Sequence, residues 1–104
     1  MLTGRTTLFL RGALFAALLV ASGCQTAMPV QEMSDARQAI MAAKEAGAQQ
    51  HAADDLKAAE GLLQSAEENL TTRNYAVARR DAVEAKTRAI DALKLSEASQ
   101  EADN

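Results

Sequence analysis

The residues that could carry out chemistry are few in this chain of 104 residues, and two of them, Cys24 and His51, are the only ones of their type. A zinc site needs several convergent nitrogen, sulfur or carboxylate ligands, so a single histidine is a poor starting point for one. His51 is therefore predicted to be a surface residue in a connection between helices. Cys24 has no disulfide partner within the chain, so it is either a free thiol or chemically modified.

Three adjacent pairs of like charge and one tyrosine are further candidates. They are Asp54-Asp55, Glu67-Glu68, Arg79-Arg80 and Tyr75. Neighbouring residues on a helix point in different directions, so the acidic pairs are expected to be exposed or to cap helices rather than share a proton. The arginine pair is expected on a solvated helix face, with contact to peptidoglycan or to an acid of a partner as the alternative. Tyr75 is expected to close one end of a hairpin. The sequence thus predicts no catalytic residue, no cofactor and no metal site.

The first 23 residues have the order of a secretory signal. Arg5 and Arg11 are their only charges, residues 12–20 are apolar or small, and three small residues follow, Ala21, Ser22 and Gly23. A membrane-spanning helix needs about 20 predominantly apolar residues, and Arg11 leaves too few. Residues 1–23 are therefore predicted to be a cleaved signal peptide.

The small residues lead directly into Cys24. Ala21-Ser22-Gly23-Cys24 resembles the bacterial lipobox, although that motif usually has leucine where this chain has Ala21. The resemblance implies that Cys24 is the lipid attachment site, because the lipobox cysteine receives a diacylglycerol and becomes an acylated N-terminus. Several acyl chains on one residue anchor a protein stably. The alternative is a secreted protein with a free thiol.

Gln25 follows the cysteine. In enterobacterial lipoproteins an aspartate at this position favours retention in the inner membrane. Its absence here implies the periplasmic face of the outer membrane.

Composition narrows the classes of partner. Removal of residues 1–23 takes away two of 11 basic residues, so 9 basic residues face 14 acidic ones and the net charge falls from −3 to −5. This balance disfavours nucleic acid as a partner and disfavours membrane binding through a polybasic patch. Abundant alanine and few large apolar residues predict a strongly helical chain with a thin core. Such a chain would gain stability from self-association or from a protein partner.

The apolar residues recur at alternating spacings of three and four, which is typical of one face of a helix. The stripes are Met33, Ala36, Ile40 and Ala43; then Ala52, Leu56, Ala59, Leu63, Ala66 and Leu70; then Tyr75, Ala78, Ala82, Ala85, Ala89, Ala92 and Ser96. Val83, Ile90 and Leu93 are expected to widen the last stripe, and Glu84 with Arg88 is expected to form an ion pair within that helix. Ser34 and Asp35 are expected to cap the first helix, Gly47 to end it in a left-handed conformation, and Asn74 to begin the last.

These patterns predict an all-α fold, an alanine-rich antiparallel helical hairpin with a shorter preceding helix. That shorter helix either folds back as a third helix or packs on a neighbouring subunit. The expected segments are a lipidated tether over 24–31, a helical domain over 32–99 and a disordered tail over 100–104. Within the domain, helices are expected over 32–46, 52–70 and 75–98, joined by connections over 48–51 and 71–74.

The mature chain resembles a family of small bacterial lipoproteins that carry a domain of unknown function, DUF 4398. The resemblance rests on Pro29, Ala36 to Ile40, Ala42-Ala43, Ala46-Gly47-Ala48, Asp55-Leu56, Ala59, Leu63, Ala66, Tyr75, Ala78, Ala82, Ala85 and Ala89. The family pattern often has proline where this chain has Ala53. The resemblance implies an envelope lipoprotein and no particular reaction.

The expected function is that of a non-catalytic structural or adaptor module, held in the membrane through Cys24 and open to a homo-oligomer or a periplasmic protein partner. One alternative is a spacer like the murein lipoprotein, a coiled coil that contacts peptidoglycan without a covalent link, since the chain ends in Ala102-Asp103-Asn104 and not in lysine. Another is a small regulator of a periplasmic enzyme.

Overall fold

Helices account for almost all of the chain that the computed structural model describes, residues 27–104. They are α1, Val30–Glu45; α2, Ala48–His51; α3, Ala53–Thr71; and α4, Tyr75–Asp103. No strand occurs in residues 27–104, so the predicted all-α fold, with two long helices in a hairpin after a shorter one, is confirmed. Within the same range, no helix is both long and apolar enough to cross a membrane.

Contacts between side chains define the direction of each helix. Arg37 of α1 bonds Glu67 of α3, and Lys44 of α1 lies 3.8 Å from Glu60 of α3, so these two helices are antiparallel. On α4, Arg79 pairs with Glu32, Lys86 with Asp35, and Gln100 with the carbonyl of Ala46, so α1 and α4 run in the same direction. Helix α1 therefore folds back on its own hairpin, and α1, α3 and α4 form a three-helix bundle in which α4 also contacts α2.

The core of the bundle consists mainly of alanine. The fully covered alanines are Ala36, Ala43, Ala48, Ala59, Ala66, Ala78, Ala82, Ala85, Ala89 and Ala92. Within residues 27–104, the larger apolar side chains buried beside them are Pro29, Met33, Ile40 and Leu56. A methyl group lets helix backbones approach closely, so the predicted stripes are the packed faces. Of the three residues expected to widen the stripe of α4, Ile90 and Leu93 are partly buried, whereas Val83 is 49% exposed and does not widen it.

Two short connections join the helices. Gly47 ends α1 with a φ of 87°, as predicted for a left-handed cap, and the short connection predicted after it, Ala48–His51, forms one helical turn. Between α3 and α4, Arg73 has a φ of 62°, and the N–H of Asn74 donates to the carbonyl of Asn69 at 2.8 Å. Asn74 occupies the N-cap position of α4, but its side chain makes no capping hydrogen bond.

The ends of the long helices differ from the predicted ones. Helix α1 begins at Val30 after Pro29, so Ser34 and Asp35 lie within it and do not cap it. Proline at the start of a helix loses no intrahelical hydrogen bond, since its missing N–H would have no partner there. Helix α4 continues to Asp103, so most of the tail predicted to be disordered is helical.

Arg88 shows how the ion pairs differ from those expected. Its guanidinium lies 3.4 Å from Asp55 of α3, across the interface, rather than on Glu84 one turn away in its own helix. Each pair among α1, α3 and α4 is joined by at least one such contact.

Candidate functional site

The predicted lipid attachment site, Cys24, and the predicted signal peptide over residues 1–23 lie outside the described residues. The first described residue, Ala27, follows Cys24 by three positions. The segment from Ala27 to Pro29 precedes α1 and is the described part of the predicted anchor region outside the helices.

Arg79 of α4 fastens this segment to the bundle. Its Nη2 donates a 2.6 Å hydrogen bond to the carbonyl oxygen of Ala27, and its Nε donates to Oε1 of Glu32 at 3.3 Å. Pro29 is fully buried, and the N–H of Val30 donates to the carbonyl of Met28 at 2.8 Å. The tether predicted over 24–31 is therefore in contact with the bundle from residue 27 onward, and its last two residues belong to α1.

The arginine pair has two different roles. Arg79 is partly buried by its contacts with the N-terminal segment, whereas the Arg80 side chain is 70% exposed and lies 3.4 Å from Asp81. The expectation of a solvated pair therefore holds for Arg80 alone. Arg73 lies apart from both, on the turn between α3 and α4, and is exposed.

A buried carboxylate lies close to that end, between α3 and α4. Asp81 is 5% exposed; its Oδ2 accepts a 2.7 Å hydrogen bond from Ser65 Oγ and a 3.3 Å bond from Asn69 Nδ2. The amide of Asn69 also donates to the carbonyl of Ser65 at 2.8 Å, and Arg80 donates to the second carboxylate oxygen of Asp81 at 3.4 Å. The sequence did not predict this cluster, because Asp81 on α4 is separated by the turn from Ser65 and Asn69 on α3, and only the hairpin brings them together.

The acidic pairs do not converge. Asp54 and Asp55 lie in the first turn of α3 as predicted, where carboxylates stabilise the positive end of the helix dipole. Asp55 bonds Arg88 of α4, while the Asp54 side chain is exposed. The two residues of the second pair also have different partners. Glu67 bonds Arg37 of α1, whereas Glu68 accepts a hydrogen bond from Gln64 of its own helix.

His51 and Tyr75 are also placed apart from one another. His51 is exposed at the end of α2, near the opposite end of the bundle from Tyr75. Tyr75 is half-buried as the first residue of α4, next to the turn of the hairpin. Among residues 27–104, no group of three His, Cys, Asp or Glu side chains is placed to hold a metal ion.

An open groove runs along the surface of the bundle between α1 and α3. Ile40 and Leu63 lie along it, and Lys44 and Glu60 face each other across it. The groove is lined by apolar and charged groups together and contains none of the predicted candidate residues except Glu67.

Comparison of the chain with models of known protein families, with curated proteins and with solved structures found no match.

Proposed function

We propose that this chain is a non-catalytic lipoprotein of the bacterial envelope, anchored in the outer membrane through Cys24, whose periplasmic bundle is a structural or adaptor module. The observation that carries the proposal is the order of residues 1–24, a charged start, an apolar run and Ala21-Ser22-Gly23-Cys24. The resemblance to the DUF 4398 family points the same way and stays a prediction.

The contacts of Ala27 support an anchor at this position. A lipid on Cys24 would be separated from the folded body by Gln25 and Thr26 alone, because Arg79 and the buried Pro29 hold the following segment. A bundle attached by so short a link would stay next to the membrane surface, as suits a module that presents a surface to other envelope components.

The packing of α1 favours the adaptor over the spacer. A murein-lipoprotein-like coiled coil would need the long alanine stripe of α4 for contact with other copies. Here that stripe is covered by α1 and α3 of the same chain, with Ala82, Ala85 and Ala89 fully buried. Opening the bundle to expose the stripe would sacrifice these contacts.

Metabolic labelling with a radioactive fatty acid tests the anchor. We expect label on the wild-type chain, with sedimentation in the outer-membrane fraction, and no label on Cys24→Ser. A matched control is Cys24→Ser combined with Thr72→Cys, which restores a thiol on an exposed turn and should remain unlabelled. Label on either variant would contradict attachment at Cys24.

Chemical crosslinking in cells tests the adaptor role. We expect a discrete heteromeric product that is recovered again after denaturing purification. The competing spacer predicts a stable trimer of the lipidated chain in detergent, and finding that trimer would overturn the adaptor proposal.

A further inference from the structure

The groove between α1 and α3 is bordered by two rims of opposite charge. The rim on α1 carries Arg37 and Lys44, and the rim on α3 carries Glu67 and Glu60. The two ion pairs cross the groove at 3.2 Å and 3.8 Å, yet their four side chains remain 42–52% exposed. These rims and the groove between them form a surface, hereafter the α1–α3 face, on which about half of each charged side chain is open to a second molecule.

Apolar surface is exposed on the same face. Ile40 and Leu63 lie along the groove. Met41 is 61% exposed, and residues three and four apart on a helix share a side, so Met41 lies on the α1 rim between Arg37 and Lys44. A methionine side chain is flexible and fills irregular apolar gaps. Met41 is therefore placed to enter the groove of a neighbouring molecule.

The charges reverse their order near the end of α1. Glu45 follows Lys44 on α1, Lys57 lies one turn before Glu60 on α3, and both Glu45 and Lys57 are exposed. Since Lys44 pairs with Glu60 between antiparallel helices, Glu45 and Lys57 lie within about 3 Å of the same level along the bundle. At this level the acid is on α1 and the base on α3. The further charged residues on the outer side of α3 are both acids, Asp54 and Glu68.

This pattern is complementary to itself about a two-fold axis that runs along the helices. The rotation lays α1 of one copy over α3 of the other and leaves each residue at its own level. Arg37 then faces Glu67 of the second copy, and Glu45 faces Lys57 of the second copy. An axis perpendicular to the helices would instead lay α1 over α1, with basic rim on basic rim. A symmetric dimer requires one surface that matches itself, and the α1–α3 face does so only in the parallel arrangement.

We propose that two copies of this chain pair side by side through the α1–α3 face, with Met41 of each copy filling the groove of the other. Because the axis is parallel to the helices, both N-terminal segments lie at the same end of the pair, as two chains anchored in one membrane require. The inference rests on the proposed lipidation for this setting and adds a partner, a second copy, to the proposed structural role. Anchoring raises the effective concentration of the copies, so a small and charged interface is sufficient there.

Crosslinking at single positions of the full chain in cells tests the pairing. Met41→Cys places a thiol at the centre of the proposed interface, and Val83→Cys is the matched control, an exposed apolar residue on α4. After treatment with a short bifunctional maleimide, mass spectrometry identifies the linked positions. We expect at least roughly five-fold more dimer linked through position 41 than through position 83, because pairing raises the local concentration of the first thiol alone.

Charge reversal in the Met41→Cys chain tests the orientation. Glu45→Lys and Lys57→Glu each set like charges against one another at two symmetry-related places, and each should lower the dimer yield roughly five-fold. The double variant Glu45→Lys/Lys57→Glu restores opposite charges and should restore the yield. Glu84→Lys, a reversal at an exposed position of α4, is the control and should have no effect. Circular dichroism confirms that all four variants are folded.

The outcomes separate this proposal from the lipoprotein assignment. Equal linkage through positions 41 and 83 would overturn the pairing, and linkage of position 41 to another protein alone would overturn the second copy as the occupant. A double variant that stays as low as the single ones would overturn the parallel arrangement. Unmodified Cys24 by mass spectrometry would overturn the lipoprotein assignment, while the comparison of positions 41 and 83 would still decide the pairing.

Discussion

Arg79 and Ala27, 52 positions apart in the chain, are joined by a hydrogen bond of 2.6 Å from the guanidinium to the carbonyl oxygen. The same side chain bonds Glu32 in the first turn of α1. One residue of the last helix thus holds both the start of the first helix and the segment that precedes it.

Arg79→Gln should lower the free energy of unfolding by about 1–2 kcal/mol, because it removes a charge-assisted hydrogen bond and a partly buried ion pair. Urea unfolding followed by circular dichroism measures this loss. Arg37→Gln is the control: it breaks the exposed pair with Glu67, whose side chains are 52% and 49% exposed, and should cost at most about 0.5 kcal/mol. Equal losses in the two variants would contradict the fastening role of Arg79.

Ala85→Leu should destabilise the bundle by about 1–3 kcal/mol, since three methylene-sized groups must be forced into a fully covered position. Ala98→Leu makes the same change at an exposed position of the same helix and should alter stability by less than about 0.5 kcal/mol. Thermal unfolding of both variants decides the matter. A tolerant Ala85 together with a sensitive Ala98 would mean that α4 packs through a different face.

The two glycines of the bundle should respond to alanine in opposite directions. A Cβ added to Gly61 would meet nothing within 4 Å, so Gly61→Ala should stabilise the exposed face of α3 by about 0.5–1 kcal/mol. Gly47→Ala should destabilise by about 1 kcal/mol or more, because the residue has a φ of 87° and its new Cβ would lie 3.4 Å from the His51 ring. Urea unfolding compares them. A loss of stability in Gly61→Ala would instead indicate close approach of another chain at that position.

Ser65 and Asp81 should be energetically coupled across the hairpin. Ser65→Ala removes the shortest hydrogen bond to a carboxylate that is 5% exposed, and should cost about 1–3 kcal/mol. In a double-mutant cycle with Asp81→Ala, the coupling energy should be about 1 kcal/mol. The same cycle with the exposed Glu84→Ala serves as the control and should give a coupling near zero. A coupling of zero for Ser65 and Asp81 would show that the bond contributes no stability.

The packed faces of the helices were predictable because burial follows local periodicity. The spacing of Ala78, Ala82 and Ala85 defines a stripe whatever the stripe packs against, and the stripe is buried. The partners across each interface were not predictable in this way. Arg88 has acids within reach both in its own helix and on α3, and only the relative shift of the helices selects Asp55.

The positions where the helices end likewise depend partly on local sequence and partly on tertiary contacts. Gly47 ends α1 through its own backbone freedom, so that end was predicted closely. The end of α4 depends in part on the bond from Gln100 to the carbonyl of Ala46, 54 positions away, and no local pattern reports that contact. The Ser65–Asp81–Asn69 cluster and the contacts of Arg79 were missed for the same reason.

A core of methyl groups also determines how the stability of this bundle responds to temperature. Unfolding would expose long stretches of polar backbone but few large apolar side chains, since Met33, Ile40 and Leu56 are the only large aliphatic ones buried in residues 27–104. Apolar exposure raises the heat capacity and polar exposure lowers it, so the increase should fall below the usual value of about 12–15 cal/mol/K per residue. The curve of free energy against temperature is then less strongly curved, so its maximum lies at a lower temperature and the bundle loses less stability on cooling than a domain of the same size with the usual heat capacity.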